Sequence, residues 1–350
     1  MCIALFSTAH TDYSIIIINN RDEYLRRPTA QAEFWPAPNT HILGGRDLAR
    51  KTQGTWMGVT RAGKVAVLTN YRESTSDAAI GQQSRGAIVS SWLTRSKADG
   101  DTNADADADA TKTYVEEMVT SLTARNVGGF SLVCGYVNEP LAIVSNRSST
   151  MDQITWIAGE KGQTKGLSNT VFDDRSWPKI LDGERLVEEA VQKHIAEGEG
   201  EEELIERLLG VLNTNSLPEL DGDATAEDYL PFFRRSIFIP LIGTRDKTRS
   251  KSPAAAAEIL APESTRSVSV EGHGNGEASN PTPEEKGAEA GHDIIDQSYL
   301  HGPYGTQKQT IILVNKEGRL RYFERTLYDQ EAKAVPIGQG DRSFEFQVTR

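Results

Sequence analysis

The stretch "SIIIINNRDEYLRRP", residues 14–28, decides how the chain begins to fold. Ile15 to Ile18 form a short, uniformly apolar, β-branched run, the pattern of a strand buried on both faces. The run passes directly into Asn19, Asn20, Arg21, Asp22 and Glu23. Upstream, "CIALFST" (2–8) has the same strand character, and a short polar connection joins it to "YSIIIIN" (13–19). Two strands joined in this way pair antiparallel. With the turn centred at His10 and Thr11, opposing residue numbers sum to about 21. Cys2 then faces Asn19, and Arg21 and Asp22 lie beside the first residues of the chain.

A cysteine at the second position invites a chemical reading. Once Met1 is removed, which a small side chain at Cys2 permits, the thiolate is a nucleophile and the free α-amine a general base. Such a residue needs a carboxylate to orient the amine, a cation to favour the thiolate and amide donors for an oxyanion. Asp22, Arg21 and the asparagines supply those groups. The plainer reading also stands, since free cysteine is among the most buried residue types and Cys2 fits as the start of an inner strand.

Further along, three more hairpins are legible: 56–70 turning at Arg61 to Gly63, 129–146 turning at Asn138 to Pro140, and 310–326 turning at Asn315 to Gly318. Helical patterns cover 83–95, 113–124, 176–195 and 201–213, the last with Leu204, Leu208, Leu209 and Leu212 on one stripe. Hairpins with helices grouped between them predict an α+β fold. Two tracts interrupt a single domain spanning 1–350. An Asp/Ala-rich tract runs from 96 to 112, and a Ser/Pro/Gly/Ala/Glu-rich one covers 247–297; both read as low-complexity insertions.

Composition narrows the function. The 350 residues are 37% hydrophobic and 25% charged, enough for one sizeable core. A net charge of −12 with no basic stripe excludes nucleic acid as the main partner. Two cysteines, Cys2 and Cys134, make no disulfide framework, and no apolar run is long enough for a spanning helix. The expected compartment is the cytosol. The six histidines show no metal-binding spacing, so no metal is expected. "ILGGRD" does not follow a strand in a βαβ unit and is not a dinucleotide site. Trp35 and Trp56 can be core residues or the walls of a flat apolar pocket.

Taken in order, "MCIALF", "NNRDEYLRRP", "FWP", "ILGGRD", "GTWMGVTRAGKVAVLTNYRE", "GLSN" and "TIILVNKEGRLRYFERT" resemble the NRDE family. The resemblance covers the chain from Met1 to about Val348 apart from the two tracts. It implies a fold similar to the N-terminal-nucleophile hydrolases: an αββα sandwich of two antiparallel sheets between helix layers. By the same resemblance Cys2 occupies the nucleophile position, with Arg21, Asp22, Asn70, Asn169 and Arg245 as the other catalytic candidates. Here Arg21 and Asp22 are adjacent, whereas the cysteine acylases of that superfamily space the pair as R-x-x-D. Adjacent strand residues face opposite ways, so only one of the two can face the thiol unless the strand ends or bulges there. Members are associated with Golgi organisation and protein secretion, haem trafficking, and mitochondria. Two biochemical expectations follow. One is an amidohydrolase or acyltransferase using Cys2. The other is a carrier of haem or an acyl-type lipid that requires no cofactor. The expected ligand is small and apolar or amide-containing.

Overall fold

A computed structural model describes residues 1–71, 84–95, 110–121, 127–243 and 301–349. These belong to one compact unit, Met1–Arg245 with Ile295–Arg350; the second unit, Asp246–Ile294, lies outside the described residues, as does the 247–297 tract. The strands are β1 Ile3–Ser7, β2 Tyr13–Tyr24, β3 Thr29–Phe34, β4 Ile42–Asp47, β5 Met57–Thr60, β6 Lys64–Asn70, β7 Phe130–Tyr136, β8 Leu141–Ser145, β9 Thr155–Ile157, β10 Thr164–Ser168, β11 Tyr304–Asn315, β12 Arg319–Thr326 and β13 Asp341–Gln347. The longer helices are α1 Arg85–Thr94, α2 Ala110–Thr120, α3 Pro178–Glu197 and α4 Glu201–Leu212.

Every strand pairing is antiparallel. One sheet runs β10-β1-β2-β11-β12-β13 and the other β3-β4-β5-β6-β7-β8-β9. Side-chain alternation along β2 shows how they stack. Ile15 and Ile17 join Ala4, Phe6, Val65, Val67, Ile312 and Val314 in the layer between the sheets. Ile16 and Ile18 point the other way, onto Val187 and Val191 of α3 and Leu204, Leu208 and Leu212 of α4. On the far side of the second sheet, Ala66, Leu68 and Leu132 pack beneath Val89, Trp92, Tyr114 and Val115 of α1 and α2. The fold is therefore the αββα sandwich, helices outside and two sheets within. Each fully buried isoleucine of β2 contributes about 1.5–3 kcal/mol of apolar burial.

The helices form for local reasons as well. α3 begins with Pro178 in its first turn and stops at Gly198, whose φ of 64° is the left-handed conformation of a helix C-cap. α4 carries Glu201, Glu202 and Glu203 in its first turn, where they complement the helix dipole. Its apolar stripe faces β2 and β11.

Three expectations need correction. The register of the first hairpin is displaced by two: Ile3 pairs with Asn20 and Leu5 with Ile18, so opposing numbers sum to 23 and Cys2 is carried next to Arg21 rather than Asn19. The turn is longer on its β2 side than a symmetric loop would be. β2 does not stop at Asn19 but runs on to Tyr24, because β11 supplies partners from Tyr24 back to Tyr13. The Asp/Ala tract is shorter than 96–112: Ala110, Thr111 and Lys112 already belong to α2, where buried Thr111 packs. Residues 96–109 lie outside the described residues.

A chain of imidazoles ties the first hairpin to the helices. The Asp12 backbone N–H donates to His10 Nδ1 (3.0 Å), so the His10 proton sits on Nε2 and donates to His194 Nδ1 (3.0 Å). His194 Nε2–H then donates to the Gly200 carbonyl (2.9 Å). Burial first, and the His194 ring next, hold the His10 pKa below its ordinary value, with Asp12 opposing and Lys316 assisting. A lowered folded-state pKa stabilises above the ordinary histidine value of about 6.5 and loses that contribution as pH falls through the folded value. The thermal midpoint should fall on acidification below about pH 6.5. A His10→Gln/His194→Gln variant should show a shallower fall over the same range. Parallel curves for the two proteins would exclude the pair as the source.

Gly54 and Gly86 meet back to back. A Cβ on Gly54 would lie 2.5 Å from the Gly86 carbonyl carbon and 2.8 Å from its Cα. The contact holds the loop before β5 against the first turn of α1. Gly54→Ala is expected to destabilise by about 1–3 kcal/mol through forced backbone separation, measured by chemical denaturation; an unchanged midpoint would show that the contact yields freely.

Candidate active site

The four residues of the NRDE motif divide their work by strand alternation. Asn20 faces the helices and gives Nδ2 to the carbonyls of Leu212 (2.8 Å) and Ile237 (2.9 Å), capping the C-terminal end of α4. Arg21 faces the layer between the sheets, with its guanidinium 4.4 Å above the Trp56 ring and hydrogen-bonded to the Gln307 side chain. Asp22 returns to the helix face, where Oδ1 accepts from Thr306 Oγ1 (2.7 Å) and Oδ2 lies 3.4 Å from the Met1 amine. Glu23 faces the cleft again and lies 3.8 Å from Arg27. Opposite Arg21 and Asp22, β11 bulges between Thr306 and Lys308, and the extra residue is Gln307, the partner of Arg21.

Arg21 and Asp22 thus face opposite ways, as adjacent strand residues must, and both still serve the chain's first residues. Cys2 Sγ lies on the Arg21 side, 3.8 Å from the Asp22 carbonyl oxygen. The amino end lies on the Asp22 side. Its ammonium donates to Tyr304 Oη, and Lys179 Nζ donates to the Met1 carbonyl (2.8 Å) and reaches the Cys2 carbonyl (3.4 Å). Ser168 Oγ also donates to the Cys2 carbonyl (2.6 Å).

A cleft of about 680 Å³, counting the solvent at its mouth, opens in front of the thiol. Cys2, Arg21, Asn70 and Trp56 line it together with Arg27, Asp47, Arg50 and Arg85. Arg27 grips Asp47 through Nε (2.9 Å) and Nη2 (2.6 Å).

Burial dominates the electrostatics. It pushes the Cys2 thiol above its ordinary pKa, against the nearby ammonium and Arg21. It raises the Asp22 carboxyl against the ammonium and Lys179, and it lowers the Lys179 ammonium against Asp22. The Tyr304 phenol is held far above its ordinary range for the same reason, with Asp22 adding to it. With Met1 in place the thiol is therefore a poor nucleophile.

Of the six residues proposed from the sequence, Cys2, Arg21, Asp22 and Asn70 line one cleft. Asn169 stands behind them: its Nδ2 donates to the Asn70 carbonyl (2.6 Å) and so holds the end of β6 in place. Arg245 lies outside the described residues. Trp56 is a cleft wall, whereas Trp35 is core, packed with Ile42 and donating Nε1–H to the Gly44 carbonyl (3.0 Å). Lys179, Tyr304 and Arg85 escaped the sequence reading. Lys179 is fully buried on α3, at a position that reads as one more polar residue flanking an amphipathic helix. Only the contact between helix and first strand reveals its task.

The site is thus a cysteine beside the first hairpin of an αββα sandwich, with Arg21 on its cleft and Asp22 at the amino end. The chain belongs to the Transport and Golgi organisation 2 family, whose profile matches residues 1–329. The Homo sapiens Transport and Golgi organization protein 2 homolog is 31% identical over 223 residues, 61% of this chain and 72% of that protein. The Mus musculus homolog is 28% identical over 247 residues, 66% and 79% of the two chains. Among solved structures, a Caenorhabditis elegans N-acylethanolamine-hydrolyzing acid amidase ortholog is similar with a TM-score of 0.37 and 12% identity, covering 59% of this chain and 85% of that one. A conjugated bile acid hydrolase from Clostridium perfringens gives 0.35 and 11%, covering 99% and 97%. At these scores the structural likeness carries no functional weight. Among the described residues no helix is long and apolar enough to cross a membrane.

In protein that retains Met1, alkylation of Cys2 by iodoacetamide should climb steadily through alkaline pH, without a plateau at the ordinary thiol value of about 8.5. Asp22→Asn removes a negative charge that raises the thiol pKa and should speed labelling at a fixed pH. Cys134, pushed up to about 12 by burial alone, should stay unlabelled. Equal labelling of the two cysteines would contradict this environment.

Proposed function

We propose that the chain is a cysteine acyl-transfer enzyme, an amide or thioester hydrolase, that becomes competent when Met1 is removed, and that it serves the Golgi role its family name carries. The supporting observation is the division of labour across β2: Arg21 shares the cleft with the Cys2 thiol while Asp22 holds the amino end on the opposite face. With Met1 gone, the α-amine of Cys2 lies a few bonds from its own thiol and is a base of near-neutral pKa. The thiol proton passes to that amine as Sγ attacks the substrate carbonyl carbon. Arg21 favours the thiolate, and the Asn70 side chain is the candidate donor for the oxyanion. Collapse of the tetrahedral adduct breaks the carbonyl–leaving-group bond, and the amine returns its proton to the departing atom. Water then hydrolyses the acyl thioester and regenerates the thiol.

Carriage of haem or an acyl lipid has narrower support. Trp56 and Leu68 are apolar walls of the cleft, but Arg21 already covers one face of Trp56.

The test is intact mass spectrometry of protein purified from its own cells, followed by reaction with p-nitrophenyl acetate. A chain starting at Cys2 and an acetyl adduct on that residue are expected. Cys2→Ala should abolish the adduct, and Asn70→Ala should slow its formation by about 10²-fold, the usual effect of losing one oxyanion donor. Retention of Met1, or a processed chain that forms no adduct, would sink the proposal. Saturable one-to-one binding of haem in that event would favour the carrier instead.

A further inference from the structure

Four arginines line the cleft, and among the described residues Arg27 alone has a carboxylate partner. Arg21 is bound to Gln307 and stacked on Trp56. Arg27 is bound to Asp47, with Glu23 beside it. Among the described residues the Arg50 side chain makes no hydrogen bond or ion pair, and the Arg85 side chain makes only one long hydrogen bond, from Nη1 to the Gly129 carbonyl (3.3 Å). Both are partly buried. Burial depresses the Arg85 pKa, Arg27 and Arg50 depress it further, and Glu23 and Cys2 only partly compensate. Like charges held together in a partly desolvated cleft repel one another unless an anion sits between them.

Two further donors face the same need. Ser84, Arg85 and Gly86 open the ten-residue helix α1 onto the cleft, and the Ser84 side chain makes no capping hydrogen bond to the helix. The Trp56 indole Nε1–H is buried, belongs to a residue 9% exposed, and has no hydrogen-bond partner. Unpaired guanidiniums and an uncapped helix N-terminus on one cleft form a donor set that receives an oxyanion, with the unsatisfied indole buried in the wall beside them.

We infer that the cleft binds a ligand through an anionic group, a carboxylate or phosphate, held by Arg50 and Arg85. The acyl-transfer reading then adds the orientation: the anionic end is anchored at these two arginines and the reacting carbonyl is presented to Cys2. Only that orientation rests on the reading; the anion site does not.

The test is isothermal titration of the full chain at low salt with inorganic phosphate and, separately, with succinate. One saturable site for at least one of the two is expected, and the preferred anion identifies the ligand class. Arg50→Gln and Arg85→Gln should each weaken binding by about tenfold or more, Arg85→Lys should recover part of the loss, and added potassium chloride should weaken it further. Arg61→Gln, a guanidinium stacked on Phe34 outside the cleft, should bind like the wild type. A wild-type chain that binds the anion but forms no Cys2 adduct counts against acyl transfer alone. No saturable binding of either anion, or wild-type affinity in both glutamine variants with circular dichroism confirming their fold, would overturn the inference.

Discussion

β2 has to remain extended through five consecutive polar residues after its isoleucines end. Two neighbours make this possible: β1 pairs with it from Ile16 to Asn20, and β11 pairs along nearly its full length. Because the backbone stays extended, side chains keep alternating, and a stretch of mixed charge becomes two separate functional faces. One face clamps α4 and the amino end; the other lines the cleft. A strand that surfaced at Asn19 would have left Arg21 and Asp22 in solvent, with neither able to reach the thiol or the amine.

The arrangement is costly in desolvation. Asp22, Lys179 and the amino end are all withdrawn from water within one small volume, and Lys308 and Glu324 form a second buried pair nearby (3.0 Å). Such pairs add little net stability compared with well-packed apolar residues, but removing one partner strands the other, at a cost of about 3–5 kcal/mol. Their value here is positional. Lys179 ties α3 to the first two carbonyls of the chain, and Glu324 Oε1 also accepts from the Ala32 backbone (2.8 Å), joining the edge of the second sheet to the first.

The long hairpins were readable because apolar runs bounded by Asn/Gly turns leave few alternatives, and α3 and α4 because their apolar residues recur with helical period. β3 and β4 were not readable: "TAQAEF" and "ILGGRD" carry alanines and glycines that are there to let Trp56 and β5 approach, and such close packing has no local signature. β13 is mostly exposed and has weak strand character on its own. Cys2, Arg21 and Asp22 could be placed together from one hairpin, since local pairing brings them there. Lys179, Tyr304 and Arg85 arrive from distant segments, and their convergence depends on how α3, β11 and α1 dock. The two-residue error in register came from the loop, whose length is set by Thr8 donating to Glu160 (2.6 Å) and by the His10 chain rather than by a standard turn.

The meeting of Gly54 with Gly86 has a meaning for selectivity. Arg50 reaches the cleft from the loop ahead of Gly54, and Arg85 stands one residue before Gly86, so the separation of the two backbones that carry these arginines is set where two main chains touch. Main-chain contacts do not adjust as side-chain rotamers do. Any choice among ligands is therefore left to the rotamers of the two side chains, on anchor points that stay put.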